Sequence, residues 1–228
     1  MRFLLLSLLS LLATVFLSAD AKTFPYASIA EKFIYKSAVK IPAGSYTFRN
    51  RATGQYLLFD PYHYGVNAIV PAKGKSNKVS GDTTWKVIYS GGRNYSVHHR
   101  ALNGNDKCMS TRYMNGIDDA AVIWGCRIDT AKPVLPAKNK IARRRQPHFP
   151  TKQTWLFLPV DSKKRTVGPR TYFYFASNAH LYNMVPRCLY PKLTSEGTTA
   201  LRDCMDDDGK MKLYTDKKLH WELIKRGK

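Results

Sequence analysis

A threefold internal repeat constrains this chain more than any other feature. Cys108-Met109-Ser110, then Ala121-Val122-Ile123-Trp124-Gly125-Cys126, then Gln153-Thr154-Trp155-Leu156-Phe157 make one layout. A later copy runs from Cys188-Leu189-Tyr190 through Leu201-Arg202-Asp203-Cys204 to His220-Trp221-Glu222-Leu223. An earlier copy without cysteines runs from Tyr56-Leu57-Leu58 through Ile69-Val70-Pro71-Ala72 to Trp85-Lys86-Val87-Ile88. The separations between the paired landmarks are 16, 18 and 16 residues in chain order. Each copy follows a similar lead-in run: Tyr46-Thr47-Phe48, Tyr95-Ser96-Val97 and Phe173-Tyr174-Phe175. Units of this size cannot bury a core alone, so three copies imply one shared core rather than three domains.

The local signals are those of strands. Short runs rich in Tyr, Phe, Val, Ile and Thr alternate with turns such as Asn103-Gly104, Asn115-Gly116 and Gly91-Gly92. No window of twelve residues past Ser45 shows a helical period. The expectation is an all-β barrel with pseudo-threefold symmetry. Trp85, Trp155 and Trp221 are expected on equivalent strands, filling the shared centre.

Met1 to Ala21 reads as a secretory signal: Arg2, an apolar run from Phe3 to Leu17, and small residues at Ala19 and Ala21. The run is too short for a comfortable membrane span, and the expected location is secreted and extracellular. Residues 22–44 form an N-terminal arm packed on the domain, in which Ala30 to Tyr35 suits either a helical turn or an edge strand. The four cysteines fit an oxidising compartment and allow three pairings. Proximity and the repeat favour Cys108–Cys126 and Cys188–Cys204, each worth ~3 kcal/mol in the chain-entropy account. A zinc site is the weaker reading, since no paired Cys/His ligand spacing occurs.

These residues are similar to the ricin B-type β-trefoil lectins. Cys108, Trp124, Cys126, Gln153 and Trp155 carry the family pattern of a cysteine pair followed by Gln-x-Trp, over a resemblance spanning Ser45 to Lys225. It implies a β-trefoil at 45–228: a six-stranded barrel capped by three hairpins, with units at about 45–90, 94–160 and 171–225. It also implies a sugar site. In that family an aspartate two residues after the first cysteine and an aromatic two before the second hold the sugar. A polar residue two before the aromatic and an Asn before Gln-x-Trp assist. By position, unit two offers Ser110, Trp124, Val122, Lys152 and Gln153; of these, Ser110, Trp124, Lys152 and Gln153 are the candidate carbohydrate-binding residues. Unit three has Tyr190 for the aspartate and Arg202 for the aromatic, and unit one has Leu58 and Val70. Every copy therefore departs from the neutral-sugar pattern. Losing the carboxylate removes charge-assisted bonds of about 1.5–3 kcal/mol.

Charge suggests a compensating ligand class. Thirty-seven Lys and Arg against sixteen Asp and Glu give +21, which draws polyanions. The insertion at 132–152 concentrates this charge: Lys138, Lys140, Arg143, Arg144 and Arg145 are the candidate polyanion-binding residues, among prolines that forbid regular structure. Asn94-Tyr95-Ser96 is a glycosylation acceptor. Asp206-Asp207-Asp208-Gly209 reads as a polar turn rather than a calcium loop. No catalytic motif, cofactor loop or metal spacing occurs. The functional expectation is reversible binding of acidic or polyanionic glycan, with no enzyme activity, no cofactor and no sequence-specific nucleic acid. The alternatives are a trefoil-type protease inhibitor and a cationic toxin or antimicrobial protein acting on membranes.

Overall fold

The computed structural model describes residues 27–59, 83–91, 93–100, 106–111, 121–126, 152–178, 186–191, 199–206 and 212–227. Helix α1 spans Ala27–Ser37. Strands follow at Gly44–Asn50 (β1), Trp85–Gly91 (β2), Asn94–Arg100 (β3), Asp106–Thr111 (β4), Ala121–Gly125 (β5), Trp155–Pro159 (β6), Tyr172–Ser177 (β7), Arg187–Pro191 (β8), Thr199–Asp203 (β9) and His220–Lys225 (β10).

Six strands close a ring through antiparallel pairs: β1 to β2, β2 to β3, β3 to β6, β6 to β7, β7 to β10 and β10 back to β1. Two hairpins, β4–β5 and β8–β9, hang from β3 and β7. This is a β-trefoil, and its registers repeat threefold. Within units, Tyr46 faces Trp85, Tyr95 faces Trp155 and Phe173 faces Trp221. Between units, Val87 faces Val97, Phe157 faces Phe175 and Leu223 faces Phe48. At the hairpin joints, Arg49 faces Tyr56, His98 faces Cys108 and Ala176 faces Cys188. Each joint lies three residues beyond the lead aromatic of its unit.

The three tryptophans are buried on equivalent strands and share one core cluster, as expected. Each indole turns to the cap: Nε1 donates to Leu57 O at 3.0 Å from Trp85, to Met109 O at 2.9 Å from Trp155 and to Leu189 O at 2.9 Å from Trp221. A buried indole N–H needs an acceptor, and the cap backbone provides one. Phenylalanines pack with them in the same core, and Trp155 stacks on Phe175 at 4.9 Å. Phe175 stacks on Phe157 at 4.7 Å and on Phe48 at 5.4 Å between centroids.

The arm resolves into a helix and an extended stretch. Eleven residues are marginal as an isolated helix, so docking must stabilise α1. Ile34 and Ala38 join Leu156, Leu158, Tyr174 and Ala176 in a second apolar cluster outside the barrel. That cover explains why all five residues of β6 are buried, whereas Lys86 and Tyr89 of β2 are exposed. Arg93 Nη1 lies 2.7–2.9 Å from the carbonyls of Tyr35, Lys36 and Ala38, capping the helix C-terminus. The arm then runs beside the short β3–β6 pairing at Tyr95 and Trp155: Val39 N donates to Phe157 O and Ile41 N to Tyr95 Oη.

Cys108 is bonded to Cys126, and Cys188 to Cys204. Each bridge closes one of the two described hairpins.

Candidate ligand-binding site

In unit two the burial pattern of β5 sets the geometry. Ala121, Val122 and Ile123 are buried, and Trp124 emerges with 41% of its surface exposed. Ser110 and Gln153 are brought together beneath it, both buried. Gln153 Nε2 donates to Ser110 Oγ at 2.9 Å and to Gly125 O at 2.9 Å, while Ser110 Oγ donates to Cys108 O at 3.2 Å. These bonds clasp the β4–β5 hairpin to the start of β6. Lys152 is half-buried, and its carbonyl accepts from Thr111 Oγ1. Of the four sequence-derived residues, Trp124 and Lys152 thus present surface to solvent, and Ser110 and Gln153 bond within the protein. Lys138, Lys140, Arg143, Arg144 and Arg145 lie outside the described residues, as do Asp207, Asp208 and the loop of unit one. Asn94 opens β3, half-buried, with its amide oxygen enclosed.

The equivalent corner of unit three is a cleft of about 620 Å³, lined by Tyr190, Arg202, Asp203, Tyr214, Thr215, Asp216 and Leu219. Tyr190 and Arg202 occupy the positions that Ser110 and Trp124 hold in unit two. The Arg202 guanidinium lies 5.6 Å from the Tyr190 ring centroid and Lys218 Nζ lies 5.8 Å from it. Two cations thus lie within cation–π range of one aromatic ring. Asp203 is paired with Arg187 at 3.1 Å, and Asp216 accepts from Lys218 N at 2.9 Å, capping a single 3-10 turn at Lys217–Leu219. Both acids are therefore partly engaged already.

The far wall of the cleft, Tyr214 to Leu219, follows the second cysteine. A template counted from the cysteine pair does not reach it, so sequence reasoning missed it. Its signal was the aromatic and charged run Tyr214-Thr215-Asp216-Lys217-Lys218 just before the third tryptophan strand. The wall is anchored from below. Tyr174 Oη donates to Tyr214 O at 2.7 Å, and burial pushes the Tyr174 phenol up to about 12. His220 packs edge-on against Tyr174 at 4.9 Å; burial, helped by Arg51, lowers its imidazole to about 4.

The fold and these corners define a disulfide-bridged β-trefoil whose second and third units carry solvent-facing aromatic or cationic corners. No protein-family model matches the chain, and no curated protein sequence matches it. Solved structures similar to it include the designed threefold-symmetric ThreeFoil, at 14% identity and TM-score 0.45, covering 80% of this chain and 99% of that one. SeviL bound to asialo-GM1 saccharide is similar at 10% identity and TM-score 0.46, covering 82% and 100%. The Rhizoctonia solani agglutinin is similar at 13% identity and TM-score 0.44, covering 82% and 99%.

Proposed function

We propose that this chain is a secreted, ricin B-like carbohydrate-binding protein that grips acidic or polyanionic glycans reversibly and without catalysis. The observation that carries this reading is the unit-three cleft lined by Tyr190, Arg202 and Tyr214, with the Arg202 guanidinium 5.6 Å and Lys218 Nζ 5.8 Å from the Tyr190 ring centroid. A sugar carrying a carboxylate or sulfate asks for this combination: an aromatic face for its C–H surface and a cation for its anion. A charge-assisted bond to the anion contributes about 1.5–3 kcal/mol. The exposed indole of Trp124 offers a second stacking surface. The +21 charge supplies long-range attraction. Two disulfides fit an oxidising compartment, and among the described residues no helix is long and apolar enough to cross a membrane.

The test is a glycan array probed at low and high salt with wild type, Arg202→Ala and Trp124→Ala. Binding to carboxylated or sulfated glycans that weakens with salt, and weakens again in Arg202→Ala, is expected. A wild-type protein that binds no acidic glycan at either salt overturns the reading.

A further inference from the structure

The Cys108–Cys126 bridge has a neighbour that its counterpart in unit three lacks. His98, on β3, places Nδ1 3.4 Å from Cys126 Sγ and 3.6 Å from Cys108 Sγ. The three side chains form one compact cluster, with His98 and Cys108 buried and Cys126 half-buried. At the matching joints stand Arg49 and Ala176, facing Tyr56 and Cys188. The trefoil frame therefore does not require an imidazole here; unit two alone has it.

The spacing suits a tetrahedral cation. With Zn–N of about 2.0–2.1 Å and Zn–S of about 2.3 Å, a tetrahedral ion holds nitrogen and sulfur about 3.5 Å apart. His98 Nδ1 already stands at that distance from both sulfurs. Its other nitrogen, Nε2, lies 2.6 Å from Ser96 Oγ, which also accepts from Ser90 Oγ. With the Nε2 proton donated to Ser96, Nδ1 is the nitrogen left with a lone pair; Cys108 Sγ lies 3.6 Å from Nδ1 and 3.7 Å from Nε2, so the ring turns to aim that lone pair once a metal binds. The Ser96 bond is the outer support by which ligating histidines are usually oriented.

We propose that reduction of Cys108–Cys126 opens a binding site for Zn²⁺ or a similar divalent ion, ligated by Cys108 Sγ, Cys126 Sγ and His98 Nδ1, with water in the fourth position. A dithiol reductant supplies two electrons and two protons, breaking the S–S bond and itself becoming a disulfide. The metal then displaces both thiol protons to solvent, forming two metal–sulfur bonds and one metal–nitrogen bond. The disulfide joins only the two ends of the β4–β5 hairpin. The metal would also tie that hairpin to barrel strand β3, so the corner stays pinned when the bridge is lost.

The test uses the mature chain, reduced with a phosphine without oxygen and titrated with Co²⁺. The expected result is a thiolate-to-cobalt charge-transfer band with tetrahedral visible bands, saturating at one ion per chain and bleached by Zn²⁺. His98→Gln should weaken binding by about tenfold or more. Zn²⁺ should also slow alkylation of Cys108 and Cys126 in the wild type by about tenfold while leaving Cys188 and Cys204 unchanged, as read by peptide mapping. The mapping decides the matter even if His98→Gln does not fold. Absence of the charge-transfer band, undiminished affinity in a folded His98→Gln, or equal protection of all four cysteines overturns the proposal.

Discussion

Trp155 donates its indole N–H to the carbonyl of Met109 across 2.9 Å, joining barrel to hairpin inside the core. Both residues are fully buried. Trp155→Phe keeps an aromatic ring but leaves that carbonyl without its donor and opens space beside Phe175. The expected loss is about 2–4 kcal/mol. Urea unfolding should show a lower midpoint at unchanged slope. Trp85→Phe and Trp221→Phe remove the equivalent bonds to Leu57 and Leu189, so their losses should fall in the same range. Markedly unequal losses would argue against energetic equivalence of the units.

Acid should weaken the fold through His220. Its imidazole titrates near 6.5 in the unfolded chain and at about 4 in the fold, because burial and then Arg51 oppose its charge. Above pH 6.5 both states are neutral there, and the residue adds no pH dependence. Between pH 6.5 and about 4 the unfolded chain holds a proton that the folded chain lacks, so stability falls as pH falls. The full effect is about 3 kcal/mol and the part reached by pH 5 about 2 kcal/mol. Denaturant titrations at pH 7 and pH 5 should show a drop smaller by about that amount in His220→Gln. An identical drop would place the acid sensitivity elsewhere.

The repeat was legible because it is written in residue type at fixed spacing. Trp85, Trp155 and Trp221 mark equivalent strands, and Cys108–Cys126 and Cys188–Cys204 mark equivalent hairpins. Their orientation was less legible. The tryptophans join the shared core as expected, but the pattern did not reveal that each indole N–H finds its acceptor in the cap. Phe48, Phe157 and Phe175 have no such need and stack on one another in the core. Helix α1 was ambiguous because its eleven residues have little intrinsic stability, and the surface that stabilises it, Leu156 and Leu158, lies far along the chain. The unbroken apolar run of β6 hinted that this strand is covered on both faces. In the site, position relative to the cysteines located Trp124 and Arg202 but could not reveal that Ser110 and Gln153 bond to each other. The third unit's Tyr214 wall is set by the Tyr174 hydrogen bond, which has no counterpart in the sequence pattern.

Arg93 should govern whether the arm stays docked. It sits at φ 72°, a left-handed conformation that costs a non-glycine residue energy, while its guanidinium caps α1. Arg93→Gly relieves the backbone and loses the cap; Arg93→Ala loses the cap and retains the strain. Both should expose α1, with Arg93→Ala costing about 1 kcal/mol more than Arg93→Gly. Hydrogen exchange should accelerate over 34–41 in both variants while the barrel amides of β7 and β10 change little. Unchanged exchange in this segment would mean that apolar docking of Ile34 and Ala38 suffices alone.

Gln153 and Trp124 come from one sequence pattern, yet the structure gives them opposite predicted behaviour. Gln153 is fully buried and bonded to Ser110 and Gly125 on two strands. Gln153→Ala leaves both acceptors without this donor and a cavity between hairpin and barrel. Its expected cost is about 1–3 kcal/mol. Trp124 has 41% of its surface exposed, and Trp124→Ala should cost under about 1 kcal/mol. Glycan binding should respond in the reverse order: Trp124→Ala weakens it in a protein of nearly wild-type stability, whereas Gln153→Ala, assayed well below its midpoint, retains it. Thermal melts alongside array binding separate the two effects. A Trp124→Ala protein that loses stability like Gln153→Ala but binds glycan normally would make the indole a cover for the disulfide rather than a ligand surface.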